Sequence, residues 1–75
     1  MITGMHGNLE KVLRDNPGKK YCAGCLAAAA GLTSPEHVVR VESLMNTEYR
    51  RYTDRTVGDG ICDTCRQDGR VVWFH

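Results

Sequence analysis

Two C-x-x-C pairs constrain the fold of this chain more than any other feature of its sequence. Cys22 and Cys25 form the first pair, Cys62 and Cys65 form the second, and the chain contains four cysteines in total. Four thiolates in two tight turns are the ligand set of a tetrahedral structural zinc site. If one ion binds both pairs, the two turns lie close together in space. Residues 26–61 then form a segment that begins and ends at the metal site. The sequence therefore predicts one structural Zn²⁺ held by the four cysteines.

The short length of the chain is consistent with a structural metal ion that stabilises the fold. At 75 residues it is one small domain, and a core of this size is marginal without a metal or disulfides. A structural zinc site contributes on the order of 10 kcal/mol in small peptides, which is comparable to the stability of a typical whole domain. We therefore expect a single zinc-binding domain over residues 1–75, with residues 1–7 flexible.

Three other cysteine chemistries fit the same residues, and the sequence leaves them open. Two disulfides, a redox-active dithiol or an iron site could each use two C-x-x-C pairs. Residues 1–10 carry neither the basic nor the apolar stretch of a secretory signal. A cytoplasmic location is therefore expected, and its reducing conditions favour a metal over disulfides. The dithiol interpretation lacks the βαβ pattern that it requires.

Neither catalysis nor a membrane is indicated. Four cysteines close a zinc coordination shell, whereas catalytic zinc keeps one position open. The sequence shows no nucleophile–base constellation and no phosphate-binding loop, so we expect no enzymatic activity and no small-molecule substrate. It has no apolar run approaching the roughly 18 residues of a membrane span. The histidines are scattered along the chain, which indicates exposed or terminal side chains rather than ligands: His6, His37 and His75.

Two short helices are predicted before residue 32. The first covers residues 8–15, because apolar residues recur there at helical spacing. The second covers residues 25–31, where four alanines favour a helix and Gly31 is the expected stop. Cys25 then lies near a helix N-terminus, where the helix dipole favours a thiolate. The apolar stripe of the first helix consists of Leu9, Val12 and Leu13.

The clearest local signal in the chain predicts a third helix over about residues 35–46. Thr33 or Ser34 can cap it, and Pro35 suits its first position. Glu36 in the first turn would complete a capping box if Thr33 were the cap. Its buried face is expected to carry Val38, Val41, Leu44 and Met45.

After residue 46 the helical spacing of apolar residues ends and the sequence becomes typical of β-strands. Residues 49–57 and 70–74 are rich in strand-forming side chains, and residues 58–60 read as a turn. We expect the two strands to pair as a hairpin with the second cysteine pair at its tip. The predicted fold is therefore α+β: a small zinc-stabilised three-helix domain followed by a β-hairpin.

The order of these elements resembles that of winged helix-turn-helix domains. The local match consists of Leu26-Ala27, then Gly31-Leu32, followed by residues 33–45. The resemblance implies that the third helix enters the major groove of DNA and that the hairpin wing touches the backbone. Val38 is one residue later than the family pattern places its first apolar position, which implies a longer turn between the helices.

The cysteine pairs also resemble the knuckles of zinc ribbons. Those knuckles usually carry Gly or Pro around the second cysteine, whereas Leu26 and Arg66 follow it here. The separation over residues 26–61 also exceeds the roughly 15 to 20 residues of a compact four-cysteine finger. The metal is therefore interpreted as a clamp between the start of the second helix and the wing, rather than as part of a separate finger.

The strongest indication of nucleic-acid binding is the segment 49–55, where three arginines alternate with two tyrosines. Arginines bind phosphate, and tyrosines stack on bases or donate hydrogen bonds. The alternative is a solvated edge strand whose charge prevents aggregation. A net charge of +1 gives no global basic field. We predict binding to nucleic acid, DNA in the first place, in transcriptional regulation through Arg40, Ser43, Arg50, Arg51 and Arg55.

Two groups of charges bear on this prediction in opposite ways. If the cysteine pairs meet, the cations that flank them would form a local basic patch: Lys19, Lys20, Arg66 and Arg70. Residues 35–49 are instead net acidic, because they carry Glu36, Glu42 and Glu48 and only one fixed cation, Arg40.

The competing hypothesis is a zinc-stabilised protein-interaction module that does not bind nucleic acid. Four bulky apolar residues precede His75 near the end of the sequence: Val71, Val72, Trp73 and Phe74. The main interpretation is that they close the core against the alanine-rich helix. The other is an exposed edge strand that pairs with a partner protein or a second copy of the chain.

Overall fold

Three α-helices precede an antiparallel β-hairpin, so the predicted α+β class is confirmed. The computed structural model describes the backbone of residues 3–75 and the side chains of residues 7–75. The described elements follow one another as α1 (Thr3–Asp15), α2 (Ala23–Ala29), α3 (Pro35–Asn46), a 3₁₀ helix (Glu48–Arg51), β1 (Arg55–Ile61) and β2 (Asp68–Phe74).

Helix α1 begins at Thr3, earlier than the predicted start at residue 8. Its side chains Leu9 and Leu13 are fully buried, as the periodicity predicted. Residues 1 and 2, part of the segment expected to be flexible, lie outside the described residues, and so does the side chain of His6. No helix in the described part of the chain is long and apolar enough to cross a membrane.

Helix α2 ends in a glycine cap. The amide of Leu32 donates to the carbonyl of Ala27 at 2.8 Å, and the amide of Gly31 donates to Ala28 at 3.0 Å. These two bonds form a Schellman motif, which requires a left-handed residue after the helix. Gly31 supplies it with φ of 80°. The predicted stop at Gly31 is confirmed, and it turns the chain toward α3.

Helix α3 has the predicted bounds, Pro35–Asn46. Its cap is Ser34, whose hydroxyl accepts a hydrogen bond from the amide of Glu36 at 3.2 Å, so the alternative cap at Thr33 is not used. Val38 is half-buried and packs against the edge of the core. The other predicted apolar side chains of this helix are buried in the core, where α3 packs against α2 and the 3₁₀ helix: Val41, Leu44 and Met45.

The strand prediction for residues 49–57 is wrong for its first half. Glu48–Arg51 form a 3₁₀ helix that turns Tyr49 into the core, and β1 begins only at Arg55. The predicted turn at residues 58–60 lies inside β1, since Gly58 pairs with Val71. Pairing with β2 along the whole of β1 outweighs the turn preference of these glycines. A Cβ on Gly60 would make only an ordinary contact with the side chain of Val71, at 3.4 Å.

Strand β2 is paired on both edges. One edge faces β1, with Val57 opposite Val72. On the other edge Tyr21 and Val72 exchange two backbone hydrogen bonds of 3.0 and 2.9 Å, and Gly18 donates to Phe74. Val71 and Val72 are fully buried, whereas Trp73 and Phe74 are half-buried. This arrangement supports the interpretation that the last apolar residues close the core.

Candidate metal centre and nucleic-acid surface

The two cysteine pairs meet in space. The four sulfur atoms all lie within 4.8 Å of one another, and Sγ of Cys22 is 3.8 Å from Sγ of Cys65. A tetrahedral ion with metal–sulfur bonds of about 2.3 Å places its ligand atoms about 3.8 Å apart. All four thiols are free. The cluster is therefore positioned to hold a metal ion, as the spacing predicted.

The first knuckle, residues 22–25, is built by the start of α2. Cys22 is the N-cap residue in an extended conformation, and its carbonyl accepts the amide of Leu26 at 2.9 Å. Cys25 lies in the first turn of the helix. One short helix thus fixes the orientation of both thiols, and its amide end favours negative charge on them.

The second knuckle, residues 62–65, is the loop that joins β1 to β2, which confirms its predicted place at the hairpin tip. The amide of Cys62 donates to Gln67 at 3.1 Å, and the amide of Arg66 donates back to Cys62 at 2.9 Å. Arg66 has φ of 64°, in the left-handed region. Zinc-ribbon knuckles usually have Gly near this position; here an arginine adopts the conformation that a glycine would adopt with less strain.

Protein contacts hold the two knuckles together independently of an ion. The amide of Lys20 donates to Oδ2 of Asp63 at 2.8 Å, and the amide of Asp63 donates to the carbonyl of Lys20 at 2.9 Å. The amide of Cys22 also points at Sγ of Cys62 at 3.4 Å. No pattern in the sequence indicates a role for Asp63, because only the fold brings it opposite Lys20.

The protonation preferences of the thiols differ within the cluster. Burial opposes the charge of the Cys62 thiolate, but backbone amides of Cys65, Cys22 and Thr64 outweigh it and lower the pKa of this thiol to about 6. Burial raises the pKa of Cys22 and that of Cys25. Cys62 is therefore the thiol that the protein itself prepares as a thiolate, the form that binds metals.

The two histidines whose side chains the structure describes, His37 and His75, lie away from the sulfur cluster. Among the described side chains, the four cysteines are the one group of three or more potential ligands whose atoms come together. Nε2 of His75 pairs with Oγ1 of Thr56, and His37 lies half-buried on α3. Neither supplements the four sulfurs as a ligand.

The predicted nucleic-acid residues on α3 are exposed. Arg40 and Ser43 share one face of the helix with Glu36 and Val39, and together they line a shallow surface depression. Arg50 and Arg51 are also exposed, on the 3₁₀ helix that follows α3. These two arginines were expected on a wing strand; the structure instead attaches them to the end of α3.

Arg55 does not belong to this exposed set. It is only 4% exposed, and its guanidinium forms hydrogen bonds with both carboxylate oxygens of Glu10 and with Asp54. It also lies over the rings of Tyr52 and Tyr49, at 4.3 and 4.8 Å from their centroids. Burial disfavours its charge, but these carboxylates outweigh burial and raise its pKa. These partners occupy the guanidinium and give Arg55 a structural role, and its predicted role in binding nucleic acid stays a prediction.

The cations near the knuckles do not form a uniform basic patch. Lys19 lies over the ring of Tyr21 at 5.2 Å, and Lys20 lies over Trp73 at 5.1 Å. Arg70 pairs with Asn46 and approaches Asp59 at 3.5 Å. Carboxylates share this end of the hairpin with the cations, at Asp59, Asp63 and Asp68.

Comparison of the chain with protein-family models, with curated proteins and with solved structures finds no match. The geometry of the four sulfurs and the exposed arginines is therefore what bears on function.

Proposed function

We propose that this protein is a zinc-clamped helix-turn-helix protein with a hairpin wing, and that it binds nucleic acid, in the first place duplex DNA, in transcriptional regulation. The observation that carries the proposal is the outward face of α3. This face presents Arg40 and Ser43 to solvent, because the opposite face of the helix is buried against α2.

The choice of zinc follows from the donor set. Four thiolates on two C-x-x-C turns suit a tetrahedral soft-ligand site, and zinc is the usual ion of such closed sites. The ion would join the start of α2 to the hairpin tip. It would thereby fix the hairpin relative to the α2–α3 pair, which is the relation that a winged reader of DNA needs.

The arrangement of α2, its glycine-capped turn and α3 supports a helix-turn-helix. Arg50 and Arg51 extend the exposed surface beyond the end of α3 and suit contacts with phosphates. Glu36 lies on the same face as Arg40 and weakens its field. We therefore expect binding of modest affinity that depends strongly on salt.

Fluorescence anisotropy with a labelled mixed-sequence DNA duplex at low salt tests this proposal. The zinc-loaded protein should bind, and log K should fall linearly with log salt concentration. Arg40→Ala, Arg50→Ala and Arg51→Ala should each weaken binding, and loss of one phosphate contact should reduce the salt slope by about 1. Lys11→Ala, which removes an exposed cation from α1, is the matched control and should bind as the parent does.

No binding at tens of micromolar protein, binding without a salt slope, or an equal loss in Lys11→Ala would refute DNA binding by this surface. An RNA duplex in the same assay separates the two nucleic acids, because a helix does not enter the narrow major groove of RNA.

A protein-interaction module is the second candidate. The observation that favours it is Val39, which is 64% exposed at the centre of the same face of α3. The apolar chain end offers only half-buried Trp73 and Phe74 for such contacts. Sedimentation of the parent, Val39→Ser and Trp73→Ala variants distinguishes the two surfaces. An oligomer that Val39→Ser dissociates would place the contact on α3, and one that only Trp73→Ala dissociates would place it at the hairpin.

A further inference from the structure

Asp63 lies between the two cysteines of the second knuckle and is not itself one of the sulfur ligands. Its Oδ2 atom accepts the amide of Lys20 at 2.8 Å, and its own amide donates to the carbonyl of Lys20 at 2.9 Å. Lys20 immediately precedes Tyr21, which leads into the first knuckle. Asp63 thus links the second knuckle directly to the segment that precedes the first knuckle.

We propose that Asp63 is the positioning residue of the metal site: it holds the two knuckles at metal-binding distance before the ion arrives. This inference rests on the proposed metal site and deepens it. A site whose ligands come from distant parts of the chain must otherwise be closed by the ion itself, at the expense of its binding free energy. Bonds that orient ligands typically change metal affinity by about 10- to 100-fold.

The Tyr21–Val72 bridge supports the Asp63 contact on the same short segment that precedes the first knuckle. It joins the entering chain to β2, while Asp63 joins it to the loop between β1 and β2. The amide of Cys22 then reaches Sγ of Cys62 at 3.4 Å. The bridge alone fixes the chain one residue before Cys22, whereas Asp63 fixes it against the loop that carries Cys62 and Cys65.

The contact uses the backbone of Lys20 and the side chain of Asp63, which determines the choice of variants. Asp63→Ala removes the acceptor. Asp63→Asn keeps a side-chain oxygen that can accept the Lys20 amide, and it removes only the charge. Lys20→Ala leaves both backbone groups in place. Asp68→Ala removes an exposed carboxylate from the same end of the hairpin.

Zinc affinity of each purified variant is measured by competition with a chromophoric chelator. Cobalt loading gives a second readout, because the absorption bands of Co²⁺ report a tetrahedral thiolate site. We expect Asp63→Ala to bind zinc about 10- to 100-fold more weakly than the parent. Asp63→Asn, Lys20→Ala and Asp68→Ala should each stay within a few-fold of the parent, and the cobalt spectrum of Asp63→Asn should be unchanged.

A second control distinguishes a specific effect on the metal site from a general loss of stability. Glu10→Gln destabilises the fold by weakening the Arg55 ion pair on α1, away from both knuckles. Glu10→Gln should lower the melting temperature at least as much as Asp63→Ala does. Asp63→Ala should nevertheless lose more zinc affinity than Glu10→Gln. An affinity of Asp63→Ala within twofold of the parent, or an equal loss in Asp68→Ala, overturns the role of Asp63. Failure of the parent to bind zinc or cobalt would instead overturn the metal site itself, so the two failures are distinguishable.

Discussion

The buried ion pair between Arg55 and Glu10 joins β1 to α1, and its removal should weaken the fold measurably. Arg55 donates to Oε1 of Glu10 at 2.8 Å and also to the second carboxylate oxygen. The Glu10 side chain is 26% exposed, whereas the Arg55 side chain is 1% exposed. Truncating the carboxylate partner would leave a guanidinium in the interior with Asp54 as its remaining anion.

The magnitude for Glu10→Gln follows from the bonds that change. A hydrogen bond to a charged group contributes about 1.5–3 kcal/mol, and a neutral one about 1 kcal/mol. Glutamine keeps one neutral acceptor and loses the second, charged contact. Because a quarter of the Glu10 side chain faces solvent, screening reduces the loss, and we expect destabilisation by about 2 kcal/mol. In a domain of this size that corresponds to a decrease in melting temperature of roughly 8–16 °C.

Thermal unfolding followed by circular dichroism measures this change at a fixed free zinc concentration, since bound metal shifts the apparent stability. Glu48→Gln is the matched control: it removes an exposed carboxylate from the 3₁₀ helix that packs beside Arg55. It should leave the melting temperature unchanged. The difference between the variants should persist at 1 M salt, because burial protects the Arg55 pair from screening.

A Glu10→Gln variant that melts with the control would refute the structural role given to Arg55. The DNA titration supplies an independent check at a temperature where both proteins are folded. Replacing Arg55 by Met should lower the melting temperature and leave the salt slope of DNA binding intact. A reduced slope with unchanged stability would return Arg55 to the binding surface, as the sequence had predicted.

Four further predictions concern the core and the knuckles. The buried hydroxyl of Tyr49 has no hydrogen-bond partner among the described residues, so Tyr49→Phe should be more stable by about 1 kcal/mol in urea unfolding; a loss of stability would mean that the hydroxyl is satisfied. Burial raises the pKa of Tyr49 to about 12, above the unfolded value near 10, so the folded state retains the proton longer. The parent should therefore lose stability relative to Tyr49→Phe as pH rises from 10 to 12, and parallel curves would contradict this shift. Arg66 has φ of 64°, so Arg66→Gly should raise the melting temperature by relieving about 1 kcal/mol of strain, and a decrease would show that no strain is stored there. Metal-free protein treated with hydrogen peroxide should form a disulfide between the two knuckles, because the Cys62 thiolate reacts first and the four sulfurs lie within 4.8 Å of one another; peptide mapping that finds only Cys22–Cys25 and Cys62–Cys65 bonds would contradict this geometry.

Local signals in the sequence predicted the helices well. The cap and proline before α3 and the glycine after α2 act through their nearest neighbours along the chain, so no distant contact was needed to place them. The hairpin was harder. Residues 49–57 are rich in strand-forming side chains, but Tyr49 packs into the core and the backbone at residues 48–51 forms a 3₁₀ helix instead. Gly58 and Gly60 read as a turn, yet the loop between the strands is the second knuckle.

The charges show the same limit. An arginine in a run of arginines and tyrosines looks like part of a binding surface, and for Arg50 and Arg51 exposure leaves that prediction open. Only the fold brings Glu10 to Arg55 from 45 positions away along the chain and buries the pair. Asp63 and Lys20, 43 positions apart, meet for the same reason.

The sequence by itself indicated that the four thiols converge, because two C-x-x-C pairs in a chain of 75 residues are typical of a small domain with a structural metal site. It also determined the bounds of α3, since capping and periodicity are local. The tertiary structure decided which polar residues serve the interior and which face the solvent. That choice depends on long-range pairing and burial, which spacing along a chain does not encode. The spacing of the cysteines thus predicts their cluster, whereas the contact between Asp63 and Lys20 that positions the two knuckles is visible only in the fold.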